Sequence, residues 1–103
     1  MIKRIVQMTF RPEAVDDFLI LFSRYRNDIR TFPGCMHLEL WRNSEPDHVF
    51  FTYSWWEREE QLEAYRHSEL FQGVWPRTKR LFADKPRAWT VREVTFGEGQ
   101  NPN

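Results

Sequence analysis

The sequence predicts an α+β fold: a ferredoxin-like split βαβ with a four-stranded antiparallel sheet and helices packed on one face. Three observations carry this. Four short segments alternate apolar and polar residues with period two, two longer regions place apolar residues at helical spacing, and their order is strand, helix, strand, strand, broken helix, strand. At 103 residues the chain has the length of one domain. Residues 1–97 are expected to form it, with the polar run 98–103 as a tail.

Ile2 to Phe10 suits a strand with Ile2, Arg4, Val6, Met8 and Phe10 on one face and Lys3, Ile5, Gln7 and Thr9 on the other. Both faces carry apolar side chains, so both are expected to be covered. Pro12 pre-sets a helix start, Glu13, Asp16 and Asp17 suit the positive end of its dipole, and Val15, Phe18, Leu19, Phe22, Tyr25, Arg26 and Ile29 follow helical spacing. Pro33-Gly34 ends this helix.

Cys35 to Arg42 alternates, with Met36, Leu38 and Leu40 on one face and Cys35, His37, Glu39 and Trp41 on the other. Asn43 to Asp47 is polar and contains Pro46, which suits a connection to an antiparallel strand over Val49 to Trp56. Glu57, Glu59 and Glu60 open a second helical region in which Leu62, Tyr65 and Arg66 share a side. Ser68 looks like a fresh N-cap for a helix running to Phe82, with Gly73 and Pro76 as bending points. Ala88 to Phe96 alternates again as the last strand. One sheet face is left open, where Ile5, Trp41, Phe50 and Val94 could lie, and burying these rings and side chains favours a homodimer through that face.

Aromatic residues make up 17% of the chain, including five Trp and nine Phe, so the rings crowd a small core, line a pocket or cover an interface. Phe18, Phe22 and Phe82 are assigned to ordinary packing. Net charge is zero from 15 basic and 15 acidic residues, interspersed rather than clustered, which argues against a nucleic-acid or anionic-membrane surface. A single cysteine, Cys35, excludes an intrachain disulfide and any multi-cysteine metal site, and no apolar stretch has the length of a signal peptide or membrane span. A cytoplasmic location is expected. His37, Glu39 and His48 do not show converging metal-ligand spacing, so no metal is expected.

The segments VQMTF at 6–10, FPGCMHLEL at 32–40, FTYSWWEREEQLEAY at 51–65 and HSELF at 67–71 resemble the antibiotic biosynthesis monooxygenase (ABM) domain family of dimeric α+β barrels. The resemblance spans roughly residues 2 to 96. Its diagnostic part is a strand ending in Trp-Glu, an acidic helix start and a Ser-Glu-Leu-Phe segment. The family implies a cavity between helices and sheet, and includes cofactor-independent oxygenases of polycyclic phenols or quinols, haem-degrading enzymes, and members with no known reaction. By its placement Gln7, Trp56 and Tyr65 become pocket residues. The haem-ligating histidine of the haem-degrading branch falls at Trp75, which has no lone pair for iron. Haem is therefore disfavoured, and molecular oxygen is the co-substrate the resemblance implies.

The candidate catalytic residues are His67, Tyr65 and Gln7, with His67, at the break between two helical pieces, as a base for a phenolic proton. The candidate substrate-binding residues are Trp56, Phe71, Trp75 and Tyr53, an apolar box for a flat aromatic ligand. Trp55 and Trp56 point to opposite faces, so only one can line the box. Arg26, Arg66 and Arg77 are candidates for neutralising an anionic substrate, against a plain solvent role. The plain alternative for the rings is an overfilled core, and for His67 a surface position. Three functions remain open on these residues: a cofactor-independent monooxygenase of a small aromatic or quinone-like molecule, a non-catalytic dimer binding a small hydrophobic ligand, and a small-molecule isomerase or lyase.

Overall fold

The computed structural model describes residues 1–97, and the expected tail at 98–103 lies outside the described residues. The strands are β1 (Ile2–Thr9), β2 (Cys35–Arg42), β3 (Val49–Trp56) and β4 (Arg87–Val91), and the helices α1 (Val15–Arg30), α2 (Glu59–Arg66) and α3 (Glu69–Lys79). They form one antiparallel sheet in the order β2-β3-β1-β4. This is the predicted α+β arrangement.

Parity along β1 decides what faces the helices. Met8 lies opposite Phe50, Val6 opposite Thr52, Arg4 opposite Ser54 and Ile2 opposite Trp56, and cross-strand partners share a face. Phe50 is accordingly 1% exposed and packs with Phe10 and Phe18 under α1. The expectation that Phe50 lies on the open face is thereby corrected, because the run Val49-Phe50-Phe51 is apolar in both parities. Tyr53 and Phe51, in turn, fall on the open side.

Cys35 also moves. A register shift between Cys35 and His37 turns the thiol into the core, 6% exposed, while Met36 is 43% exposed. A bulge adds one residue to one strand and so reverses parity on one side of it. The last strand ends at Val91 rather than Phe96, since Val91 pairs with Lys3 near the start of β1 and little partner backbone remains beyond it.

The core has two parts. Met8, Phe10, Val15, Phe18 and Phe50 form one cluster, with Phe10 stacked on Phe18 at a centroid distance of 4.1 Å. Ile2, Cys35, Trp56 and Leu62 form the other, flanked by Phe32 and Tyr65. Residues of both clusters border a single hollow between sheet and helices. Among the described residues no helix is long and apolar enough to cross a membrane.

Candidate active site

The hollow is a cavity of about 300 Å³. Its floor is the inward face of the sheet: Arg4, Val6 and Met8 from β1, Thr52, Ser54 and Trp56 from β3. Leu62, Tyr65 and Arg66 of α2 and Phe71, Trp75 and Thr78 of α3 close it from above.

Local rules fix the roof. Gly34 sits at φ 92°, a conformation that glycine adopts without Cβ strain, and its carbonyl accepts from the Glu57 N–H at 2.9 Å. A Cβ at Gly34 would overlap the Gln61 side chain. Gln61 in turn accepts from the Arg58 N–H at 3.0 Å, which secures the first turn of α2. At the other end Ser68 Oγ donates to the Tyr65 carbonyl at 2.6 Å and accepts from the Phe71 N–H at 3.1 Å. One hydroxyl thus joins the end of α2 to the start of α3 and sets Tyr65 relative to Phe71.

Four rings run along the cavity as a ladder. Trp56 stacks on Tyr65 at 5.1 Å and 28°, Tyr65 meets Phe71 edge-on at 5.2 Å, and Phe71 stacks on Trp75 at 5.6 Å and 18°. Trp56 Nε1 donates to Ser54 Oγ at 3.0 Å, which locks the indole against the floor. Burial, and secondarily the neighbouring Cys35, pushes the Tyr65 phenol well above its ordinary range. Tyr65 is therefore a neutral hydrogen-bond donor rather than a base. Burial likewise raises the Cys35 thiol, so it is not an activated nucleophile.

Of the residues singled out in the sequence, the structure brings Trp56, Tyr65, Phe71 and Trp75 together around the cavity. It does not bring Gln7, Tyr53 or His67 there. Gln7 has the opposite parity to Val6 and Met8 and pairs with Phe51, so it lies on the open face. Tyr53 stacks on Trp41 at 4.7 Å on that same face. His67 is the C-cap of α2 and its side chain is 79% exposed, with Nε2 3.6 Å from Glu63 Oε2. These placements correct the expectation of a base and polar pair inside the pocket. The helix turns His67 away from the side that carries Leu62, Tyr65 and Arg66.

Among the arginines, Arg66 lines the cavity and is bonded to Glu63 at 3.1 Å, whereas Arg77 donates to the Tyr25 hydroxyl at 3.1 Å and Arg26 borders a separate groove between α1 and β2. Sequence reasoning missed Arg4, Thr52 and Ser54. Arg4 carried a signal: it is the one charged residue on the otherwise apolar inward face of β1. Among the described residues, no imidazole, thiolate or carboxylate lines the cavity. Trp75 offers no lone pair and the Tyr65 phenol resists ionisation, so this donor set does not fit haem iron.

The fold and a largely apolar cavity between sheet and helices define a small α+β protein with a ligand-sized hollow beneath its helices. The chain belongs to the antibiotic biosynthesis monooxygenase family, whose model matches residues 1–74. No curated protein sequence matches it. Among solved structures, an antibiotic biosynthesis monooxygenase is similar with a TM-score of 0.87 and 22% identity, covering 92% of this chain and all (100%) of that one. A conserved protein from Methanosarcina mazei Go1 is similar with a TM-score of 0.86 and 17% identity, covering 90% of this chain and 92% of its own. Rv0793 from Mycobacterium tuberculosis is similar with a TM-score of 0.83 and 13% identity, over 94% and 98% of the two chains. At these identities the likeness is one of fold.

Proposed function

We propose that the protein is a cofactor-independent monooxygenase acting on a small, flat aromatic or quinone-like molecule held in the cavity. The cavity of about 300 Å³ bordered by Trp56, Tyr65, Phe71 and Trp75 is the observation that carries this reading, since ring-bordered apolar space of that size suits a flat aromatic ligand. Family membership supports oxygen as the co-substrate.

The chemistry asks little of the protein. An electron-rich phenol or anthrone loses a proton to become an oxyanion, and that anion can pass an electron to oxygen directly. Combination of the resulting carbon radical with superoxide and a proton gives a hydroperoxide, which loses water to leave a carbonyl. For an anthrone, a CH₂ group and O₂ become C=O and H₂O. Tyr65, kept protonated by burial, donates a hydrogen bond to the ligand's oxygen as charge develops there. The ionising proton leaves to solvent, because His67 lies outside.

The test is oxygen uptake on a panel of anthrones and dihydroxynaphthalenes above their spontaneous autoxidation. Wild type should consume oxygen on at least one, Tyr65→Phe should be slower by about tenfold or more, and His67→Ala should match wild type. No uptake on any member favours the non-catalytic binding reading. Acceleration of a proton transfer on the same ring system without oxygen consumption favours an isomerase or lyase.

We further propose a homodimer through the open sheet face. Trp41, Trp89 and Val91 are 40%, 43% and 37% exposed there, beside Tyr53 and Trp55. Sedimentation velocity should give a dimer mass, and Trp41→Glu should give a monomer.

A further inference from the structure

Charge in the cavity is one-sided. The guanidiniums of Arg4 and Arg66 border it, with no carboxylate among the described lining residues, whereas Arg87 pairs with Gln7 and shares its open face. Arg66 is already answered by Glu63 at 3.1 Å, and the same carboxylate also reaches His67. Arg4 is different. Its Nη1 donates to the neutral Thr90 hydroxyl at 2.9 Å, and no carboxylate among the described residues lies within ion-pair distance of it.

Arg4 is also half-buried on the cavity floor, directly across the sheet from Ser54. Burial and the nearby Arg66 both act against its charge, and holding a guanidinium in such a place without an anion costs stability. Two guanidiniums, Arg4 and Arg66, share one carboxylate, Glu63, which leaves one positive charge unanswered at that end of the ladder. Planar guanidinium forks match a carboxylate better than any other biological anion of similar size except phosphate. A phosphate monoester would bring nearly two negative charges to one unanswered guanidinium, in a chamber walled largely by side chains such as Met8, Phe18 and Trp75, whereas a carboxylate brings one.

We infer that the ligand is an aromatic carboxylate, its ring system lying along Trp56, Tyr65, Phe71 and Trp75 and its carboxylate seated on Arg4. This rests on the aromatic reading of the cavity and adds the anionic group. Arg4 sets specificity and Glu63 tempers it.

The test is equilibrium binding of two redox-inert probes, 2-naphthoate and its neutral isostere 2-naphthamide, read by quenching of tryptophan fluorescence and by calorimetry. In wild type the naphthoate should bind about tenfold or more tightly than the amide, and 0.5 M salt should narrow that ratio. Arg4→Met should abolish the preference while keeping amide binding, and Arg4→Lys should restore part of it. Glu63→Gln, an exposed change that does not depend on the fold tolerating loss of Arg4, should tighten naphthoate several-fold and leave the amide unchanged. Equal affinities in wild type, or a preference that survives Arg4→Met and ignores Glu63→Gln, overturns the anion seat and leaves the aromatic cavity standing. Failure of both probes to bind overturns the cavity reading together with it.

Discussion

Trp56, the last residue of β3, stacks on Tyr65 of α2 at 5.1 Å with an interplanar angle of 28°. The contact joins sheet to helix at the edge of the cavity and is held from both sides. Ser54 fixes the indole from below, and Ser68 fixes the end of α2 from beyond Tyr65. Trp56→Phe keeps an aromatic face but removes the bond to Ser54 Oγ. The loss should be about 1–2 kcal/mol in urea denaturation, with weaker binding of aromatic probes.

Tyr65 makes stability depend on alkaline pH. Its folded-state pKa lies above the unfolded value, so below about pH 10 the phenol is protonated in both states and its burial carries no linkage penalty. Above that pH the unfolded chain releases a proton that the folded chain retains, and stability falls as pH rises. Denaturation midpoints taken from pH 8 to 11 should decline in wild type, and Tyr65→Phe should flatten the part of the decline that begins near pH 10.

Gly34 carries the entry to α2. Gly34→Ala meets both a left-handed backbone angle, φ 92°, and overlap with Gln61. We expect a loss of about 1–3 kcal/mol, measured by thermal or urea unfolding. Gln61→Ala in the same background relieves the overlap and should recover part of the loss, a coupling that a double-mutant cycle reads directly.

Ser68→Ala removes the cap of α3 and its bond to the Tyr65 carbonyl. About 1 kcal/mol of stability should be lost. Because Tyr65 and Phe71 lie on either side of Ser68, probe affinity should fall as well, whereas His67→Ala next door should change neither quantity.

The element order and the limits of β2 and β3 were legible because β2 alternates and β3 is an apolar run bounded by the polar Asn43 to Asp47 connection and the acidic start of the next helix. Four of the seven candidate site residues reached the cavity: Tyr65, Phe71 and Trp75 follow helical apolar spacing, and Trp56 is placed by the family resemblance, because alternation alone does not choose between it and Trp55. The other three failed for separate physical reasons. Tyr53 lies in a run that is apolar in both parities, Gln7 is polar on a strand with two partly apolar faces, and His67 sits where a helix ends and its phase is lost. The bulge at Cys35 leaves no mark in composition. Arg4 did leave one, since a charge on an apolar strand face needs either an anion or a function.

Isotope labelling tests the central claim most directly. Incubation of the protein with an anthrone it oxidises, under ¹⁸O₂ in unlabelled water, should place one labelled oxygen atom in the new carbonyl, with the second leaving as water and with no hydrogen peroxide released. A product without label, or oxygen recovered as peroxide in equal amount to substrate, would contradict the monooxygenase account.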